Sequence, residues 1–276
     1  MIIGIIGLGL IGGSLAKSIK SKTLHTVLAS DIDAETITAA KTCGAFDEIL
    51  TSENISKCDL LFLAVSPSKA VEWIKNHARE ISNNTVVIDL CGVKRAVCDE
   101  ISPLARENNF IFVGGHPMAG RERGGFVNSK ADLFDGASMI LTPELVNTEV
   151  IEKLKVFFFE VGFGAVTLST PEEHDKIIAY TSQLAHIVSS AYIMSPEALK
   201  RRGFSAGSFR DMTRVASMDE KLWTELFLYN RDFLIEQLET VIKNINEYLD
   251  ALKENNSEKL EELIREGREI KNIDMS

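Results

Sequence analysis

Several protein classes are excluded by what this chain lacks. Its four cysteines, Cys43, Cys58, Cys91 and Cys98, are widely spaced and form no Cys-x-x-Cys pair, so they read as reduced core thiols rather than a disulfide framework. The five histidines, at 25, 77, 116, 174 and 186, show no His-x-x-x-His spacing that would put two imidazoles on one helical face. No metal is expected. A formal net charge of -10 comes without any basic block, so the electrostatic footprint of phosphate-backbone binding is missing and nucleic acid is not an expected partner. The longest apolar runs, such as Ile2 to Ile6 and Leu60 to Val65, fall far short of the ~20 residues that a membrane helix needs. A strand pattern already begins at residue 2 with no basic segment before it, which leaves no place for an export signal. A cytoplasmic protein is expected. Internal repeats, low-complexity tracts and flexible linkers are also missing.

What is present suits a soluble globular chain: 276 residues, 45% hydrophobic and 25% charged, a length that favours two domains. Up to about residue 168, β-branched runs alternate with amphipathic segments of helical length, the pattern of repeated βα units around a mostly parallel sheet. Strands are predicted at Ile2–Ile6, Thr26–Ser30, Leu60–Val65, Thr85–Leu90, Phe110–Val113, Ser138–Leu141 and Ala165–Leu168. Helices are predicted near Leu10–Lys20, Ala34–Cys43, Pro67–Ile81, Lys94–Glu107 and Val146–Val161. Asp33 and Ser66 stand where N-caps belong, Pro67 suits a first helical position, and Gly44 suits a helix exit. From about residue 169 the remainder reads as helix. Thr170 to Glu173 forms a capping box opening a helix to Ser195, and Leu234, Leu238, Val241, Ile245, Tyr248 and Leu252 make a coiled-coil-like stripe that wants a partner helix. The expected architecture is α/β, a Rossmann-type domain over 1–168 followed by an all-helical domain over 169–276 that closes the cleft and forms a homodimer.

Gly7-x-Gly9-x-x-Gly12 lies directly after the first strand and opens the first helix, the setting in which this motif binds a dinucleotide. Gly7 permits the tight turn, Gly9 lets backbone approach the pyrophosphate, and Gly12 lets helix and strand pack closely, with Leu8, Leu10 and Ile11 completing the loop. The helix N-terminus adds free N–H groups and partial positive charge. Asp31 follows the second strand, nineteen positions after Gly12, where a carboxylate holds the ribose hydroxyls and repels a 2′-phosphate. NAD is therefore preferred over NADP.

Ligands of an open α/β sheet gather beyond the carboxyl ends of its strands. Val65 and Ser66, Asp89 to Lys94, and Gly114 to Gly120 are all expected there. His116 is the candidate catalytic residue, an imidazole in a loop tightened by Gly115, Pro117 and Gly120, because alcohol oxidation needs a group to take the hydroxyl proton as hydride leaves.

These motifs together resemble the prephenate dehydrogenase family over nearly the whole chain: the glycine motif at 7–15, Asp89 to Lys94, His-Pro-Met-Ala-Gly at 116–120, Glu-His-Asp at 173–175, and Phe-Arg-Asp-Met-Thr-Arg214 with Trp223 beyond. The resemblance implies that NAD takes hydride from the ring carbon of prephenate while carbon dioxide leaves, in tyrosine biosynthesis. It implies that His116 hydrogen-bonds the ring hydroxyl, that Arg214 clamps a substrate carboxylate, and that His186 and Gln183 line the substrate cleft. Glu122 would act as a gate or polar clamp and Trp223 as a pocket wall. Core or dimer packing competes for His186 and Gln183, and Arg210 is the surface counterpart of Arg214.

Two positions depart from the family pattern. Gly92 stands where a serine is common, and Gln183 replaces the first of two histidines. Both bear on substrate orientation and on prephenate against arogenate, so an arogenate or small hydroxy-acid dehydrogenase and a decayed NAD-sensing protein remain alternatives. With the sequence ending at 276, no appended regulatory domain is expected.

Overall fold

The structure, a computed structural model, describes residues 1–204 and 206–274. Alternation within its strands decides the layering. In β1 (Ile2–Ile6), β4 (Leu60–Leu63) and β5 (Val86–Asp89), Ile3, Ile5, Leu60, Phe62 and Ile88 enter one core while Ile6, Leu61, Leu63 and Val87 enter the other. A sheet buried on both faces needs apolar residues at successive positions, which is why these segments read as unbroken hydrophobic runs.

With β2 (Thr26–Ser30), β3 (Glu48–Ile49), β6 (Ile111–Pro117), β7 (Ser138–Pro143) and β8 (Ala165–Leu168), the sheet has the order β3-β2-β1-β4-β5-β6-β7-β8. Every neighbouring pair is parallel except β6 with β7. The strand order turns back at β1, and the crevice beyond the carboxyl ends of β1 and β4 is the topological switch point where ligands of such sheets bind. β3 was not evident in the sequence because it is only two exposed residues long.

Helices α1 (Leu10–Lys22), α2 (Ala34–Thr42), α3 (Pro67–His77), α4 (Arg95–Asn108) and α5 (Thr148–Glu160) connect the strands. Asp33 caps α2 by accepting the N–H groups of Glu35 and Thr36, both at 3.2 Å, and Gly44 follows the helix with φ of 68°. Ser66 does occupy the N-cap of α3 ahead of Pro67, but its hydroxyl makes no capping bond. The amide of Ser68 donates instead to Glu225 at 2.6 Å, a distant carboxylate that no local pattern announces.

Beyond the sheet, α6 (Pro171–Ile178) and α7 (Ala185–Ile193) are joined by a π-helical segment at Ala179–Leu184, so the single helix expected to reach Ser195 contains an interruption. Thr170 accepts the Glu173 N–H at 3.1 Å as a capping box requires, while the Glu173 carboxylate turns to the Ser169 hydroxyl at 3.0 Å. Then come α8 (Gly207–Thr213), α9 (Glu220–Tyr229), α10 (Arg231–Lys253) and α11 (Ser257–Asp274). The chain forms two compact units, Met1–Asn230 and a second beginning at Arg231, so the expected division at 168/169 falls inside the first. In the second unit, α10 packs on α11, and the stripe passes from buried Leu234 through half-buried Val241 to exposed Ile245, Tyr248 and Leu252. No helix among the described residues is long and apolar enough to cross a membrane.

Candidate active site

The glycine loop has the shape a dinucleotide needs. Gly7 has φ of 87°, and a Cβ there would lie 2.6 Å from the Ala64 carbonyl oxygen and from Val65 Cγ1. A Cβ on Gly12 would strike the Gly7 carbonyl, whereas one on Gly9 would meet nothing within 4 Å. The loop is thus sealed against the sheet at Gly7 and Gly12 and open at Gly9, the side from which a pyrophosphate would approach. The first intrahelical bond of α1 runs from the Gly13 N–H to the Gly9 carbonyl at 3.0 Å, so the amides of Leu10 and Ile11 belong to the unpaired first turn.

Leu8 contributes differently. Its side chain is buried, and its N–H donates to Asp31 at 2.6 Å. Asp31 also accepts the Asp33 N–H at 2.9 Å, which places its half-exposed carboxylate between the glycine loop and the start of α2. Val65 and Ser66 follow β4 at the same edge. These residues fit the dinucleotide they were assigned to.

His116 is the sixth of seven residues in β6, paired across to Ile140 of β7, and does not lie in a loop. The neighbouring glycines serve strand packing, since a Cβ on Gly115 would sit 2.7 Å from both the Asp89 carbonyl oxygen and Met139 Cε. His116 Nδ1 lies 2.8 Å from His174 Nε2, and His174 Nδ1 lies 2.7 Å from Asp175 Oδ1. Asp175 in turn accepts the N–H groups of Lys94 at 2.7 Å and Arg95 at 2.9 Å, where α4 begins. Beneath them, fully buried Lys94 is ion-paired with Asp89 and donates to the Gly115 carbonyl at 2.5 Å. Burial lowers the Lys94 pKa, but Asp89 and the nearby thiols outweigh it and keep the ammonium charged.

Burial pulls the His116 pKa well below the ordinary histidine value, and His174 and Lys94 push it the same way. Burial also lowers His174, against the opposing bond to Asp175. At neutral pH the His116 ring is therefore uncharged and able to take a proton.

Gln183 is buried on the π-helical segment. It is 1% exposed, its Nε2 donates to the Leu226 carbonyl at 3.1 Å, and its Oε1 accepts from Asn230 at 2.9 Å. Each polar end thus meets a protein group. Asn230 donates as well to the Asp175 carbonyl at 2.8 Å and accepts from Arg95 at 3.1 Å. Gln183 thereby fixes α9, whose Leu226 methyls would lie 3.4 and 3.5 Å from a Cβ on Gly92. His116 Nε2 is 3.9 Å from that same point, so the missing serine hydroxyl of position 92 is missing from the side of the histidine that faces Gly92.

The remaining candidates gather around one another. His186, on α7, bonds the Ser182 carbonyl through Nδ1 at 2.9 Å, and its ring centroid is 3.8 Å from that of Trp223 on α9. Burial lowers its pKa, the Ser182 bond opposes, and Arg214 lowers it further. Arg214 stands in a short 3-10 turn, 4.0 Å from Glu122, with their side chains 62% and 55% exposed. Arg210 is exposed on α8. Sequence reasoning missed the roles of His174, Asp175, Lys94 and Asn230; the Glu-His-Asp motif at 173–175 was the available signal, but it lies far along the chain from His116.

The family model described as "Prephenate dehydrogenase, nucleotide-binding domain" matches residues 15–167, and that described as "Prephenate dehydrogenase, dimerization domain" matches residues 170–266. Prephenate dehydrogenase of Lactococcus lactis subsp. cremoris is 29% identical over 276 aligned residues, covering 97% of this chain and 75% of its own. Among solved structures, prephenate dehydrogenase from A. aeolicus in complex with hydroxyphenyl propionate and NAD+ superimposes with a TM-score of 0.85 at 26% identity, covering 100% of this chain and 98% of that one. Synechocystis arogenate dehydrogenase does so with a TM-score of 0.82 at 25% identity, over 99% of each chain. Two matched segments that between them account for most of the length place this chain in the prephenate dehydrogenase family.

Proposed function

We propose that this protein is an NAD-dependent prephenate dehydrogenase of tyrosine biosynthesis, converting prephenate to 4-hydroxyphenylpyruvate and carbon dioxide. The observation that carries this reading is His116: a half-buried imidazole, its Nδ1 held by His174, at the carboxyl edge of the same sheet whose β1 end carries the open glycine loop. NAD, when bound, supplies the hydride acceptor. Gly7, Gly9 and Gly12 with the first-turn amides of Leu10 and Ile11 would seat its pyrophosphate, and Asp31 would hold the adenosine ribose. Val65 and Ser66 would border the cofactor where β4 ends.

His116 takes the ring hydroxyl proton as hydride departs, and returns it to the phenolate oxygen once loss of carbon dioxide has made the ring aromatic. Aromatisation supplies the driving force, so the protein's work is positioning and proton handling. Arg214 matches a substrate carboxylate with its planar fork, Glu122 holds that guanidinium until substrate arrives, and His186 against Trp223 forms the adjoining wall. The helical segment from 169 onward is the substrate and dimerisation part, and the exposed stripe of α10 is the face that joins two copies. The family description of residues 170–266 supports that assignment.

The test is NADH formation with prephenate and with arogenate side by side. Turnover of prephenate at the higher kcat/KM supports the proposal. Turnover of arogenate alone would transfer the reading to the activity named for the Synechocystis relative, and turnover of neither would reject it.

A further inference from the structure

We propose that Asp175 and His174 are positioning residues that lock His116 in the one tautomer able to accept a proton from substrate, with hydrogen on Nδ1 and a lone pair on Nε2. The inference rests on the role given to His116 above.

A carboxylate only accepts hydrogen bonds, so His174 Nδ1, 2.7 Å from Asp175 Oδ1, must be the donor of that contact. A neutral imidazole has a single N–H, which leaves His174 Nε2 as an acceptor. His116 Nδ1, 2.8 Å away, must then donate to it. The lone pair of His116 is forced onto Nε2, on the side toward Gly92. One carboxylate thus sets the direction of every bond in the series, as an orienting acid does in other catalytic sites.

Asp175 is suited to this because it cannot turn. Its two oxygens accept the backbone amides of Lys94 and Arg95 at the start of α4, a position where the helix dipole also favours negative charge. Its own carbonyl is held by Asn230, and the side chains of His174 and Asp175 are fully buried, so no water can substitute for either. When His116 takes the hydroxyl proton on Nε2, its Nδ1–H bond to His174 is kept. The new positive charge then lies at the end of a row that terminates in an anion.

The experiment is nitrogen-15 NMR of the histidine side chains in the free enzyme, joined to kinetics. Wild-type His116 should be the Nδ1–H tautomer. Oδ1 accepts both the Lys94 N–H and the His174 Nδ1–H, so Asp175→Asn with its carboxamide oxygen there keeps the bond direction and is the conservative control, whereas Asp175→Leu removes the acceptor and frees the His116 hydrogen to move to Nε2. Turnover of Asp175→Leu should fall by about 10²–10⁴-fold with KM for NAD unchanged. His174→Gln preserves the bond direction, since its oxygen can accept from His116 and its NH2 can donate to Asp175, and should keep most of the turnover that His174→Leu loses.

An Nε2–H tautomer in the wild type overturns the proposal, even if Asp175→Leu fails to fold. So does an inverted tautomer with undiminished turnover. The NMR result needs no substrate, so failure of this inference is distinguishable from failure to oxidise prephenate.

Discussion

At His116, burial and the neighbouring His174 and Lys94 all favour the uncharged ring. The active form is the neutral one, present above the pKa, so a lowered pKa extends activity downward: the acidic limb of the turnover profile should lie below the ordinary histidine value of about 6.5. His116→Asn should lose about 10²–10⁴-fold in turnover together with that limb, with NAD affinity retained; a folded variant with normal turnover would remove His116 from the chemistry. Stability carries the same sign. Between about 6.5 and the lowered folded value, the unfolded chain binds protons at His116, His174 and His186 that the folded chain refuses, so stability falls as pH falls through that window. Melting temperature against pH should show the loss, and His116→Asn should flatten part of it. At Arg214 the expected defect is in binding, because a carboxylate clamp is made in ground and transition states alike. The Arg214 side chain is 62% exposed, so water screens part of the loss, and KM for prephenate should rise by about tenfold, short of the roughly 30-fold and upward of a fully buried pair. An unchanged KM in Arg214→Ala would return Arg214 to the exposed surface it shares with Arg210.

Among the elements, the turn from β1 into α1 tolerates least. Gly12→Ala would drive a methyl into the Gly7 carbonyl and to within 2.8 Å of Ala64 Cβ, so α1 must lift from the sheet. Overpacking of this kind typically costs about 1–3 kcal/mol, and here the pyrophosphate seat moves with it; calorimetry should show weakened NAD binding alongside a lower melting temperature. The β2 tip reads out differently. Asp31→Ser should erode the preference for NAD over NADP, since repulsion of the 2′-phosphate is relieved. It also removes the acceptor of the Leu8 N–H, so the ratio of the two kcat/KM values, rather than either alone, isolates the cofactor effect. Equal use of both cofactors by the wild type would exclude the role of Asp31. Elements such as these were legible locally. β1, β2 and β8 have the bounds their apolar runs predict, and Asp33 and Gly44 delimit α2 as their chemistry requires. The π-helical segment at 179–184 was not legible, because a bulge costs nothing visible in periodicity and is settled by where Gln183 must reach, the Leu226 carbonyl and Asn230.

For the whole molecule, the apolar stripe of α10 predicts a dimer. Light scattering should report two copies, and Val241→Glu with Ile245→Lys should dissociate them or lower solubility; a stable wild-type monomer at micromolar concentration would exclude the interface. At this scale the division between chain and fold becomes plain. Sequence alone determined most of the strands, the dinucleotide loop with Asp31 and the candidacy of His116, since each rests on spacing within an element or turn, where local sterics and hydrogen bonding decide; Arg214 entered through the family resemblance. Tertiary structure decided the rest: that His116 lies within a strand rather than a loop, that His174 and Asp175 come into line with it, that Gln183 reaches the Leu226 carbonyl and Asn230, and that Arg214 comes to Glu122 and His186. Those contacts join residues far apart in the chain. Their partners are chosen by which buried polar groups must be satisfied once the two faces of the sheet are covered, a condition that exists only in the folded protein.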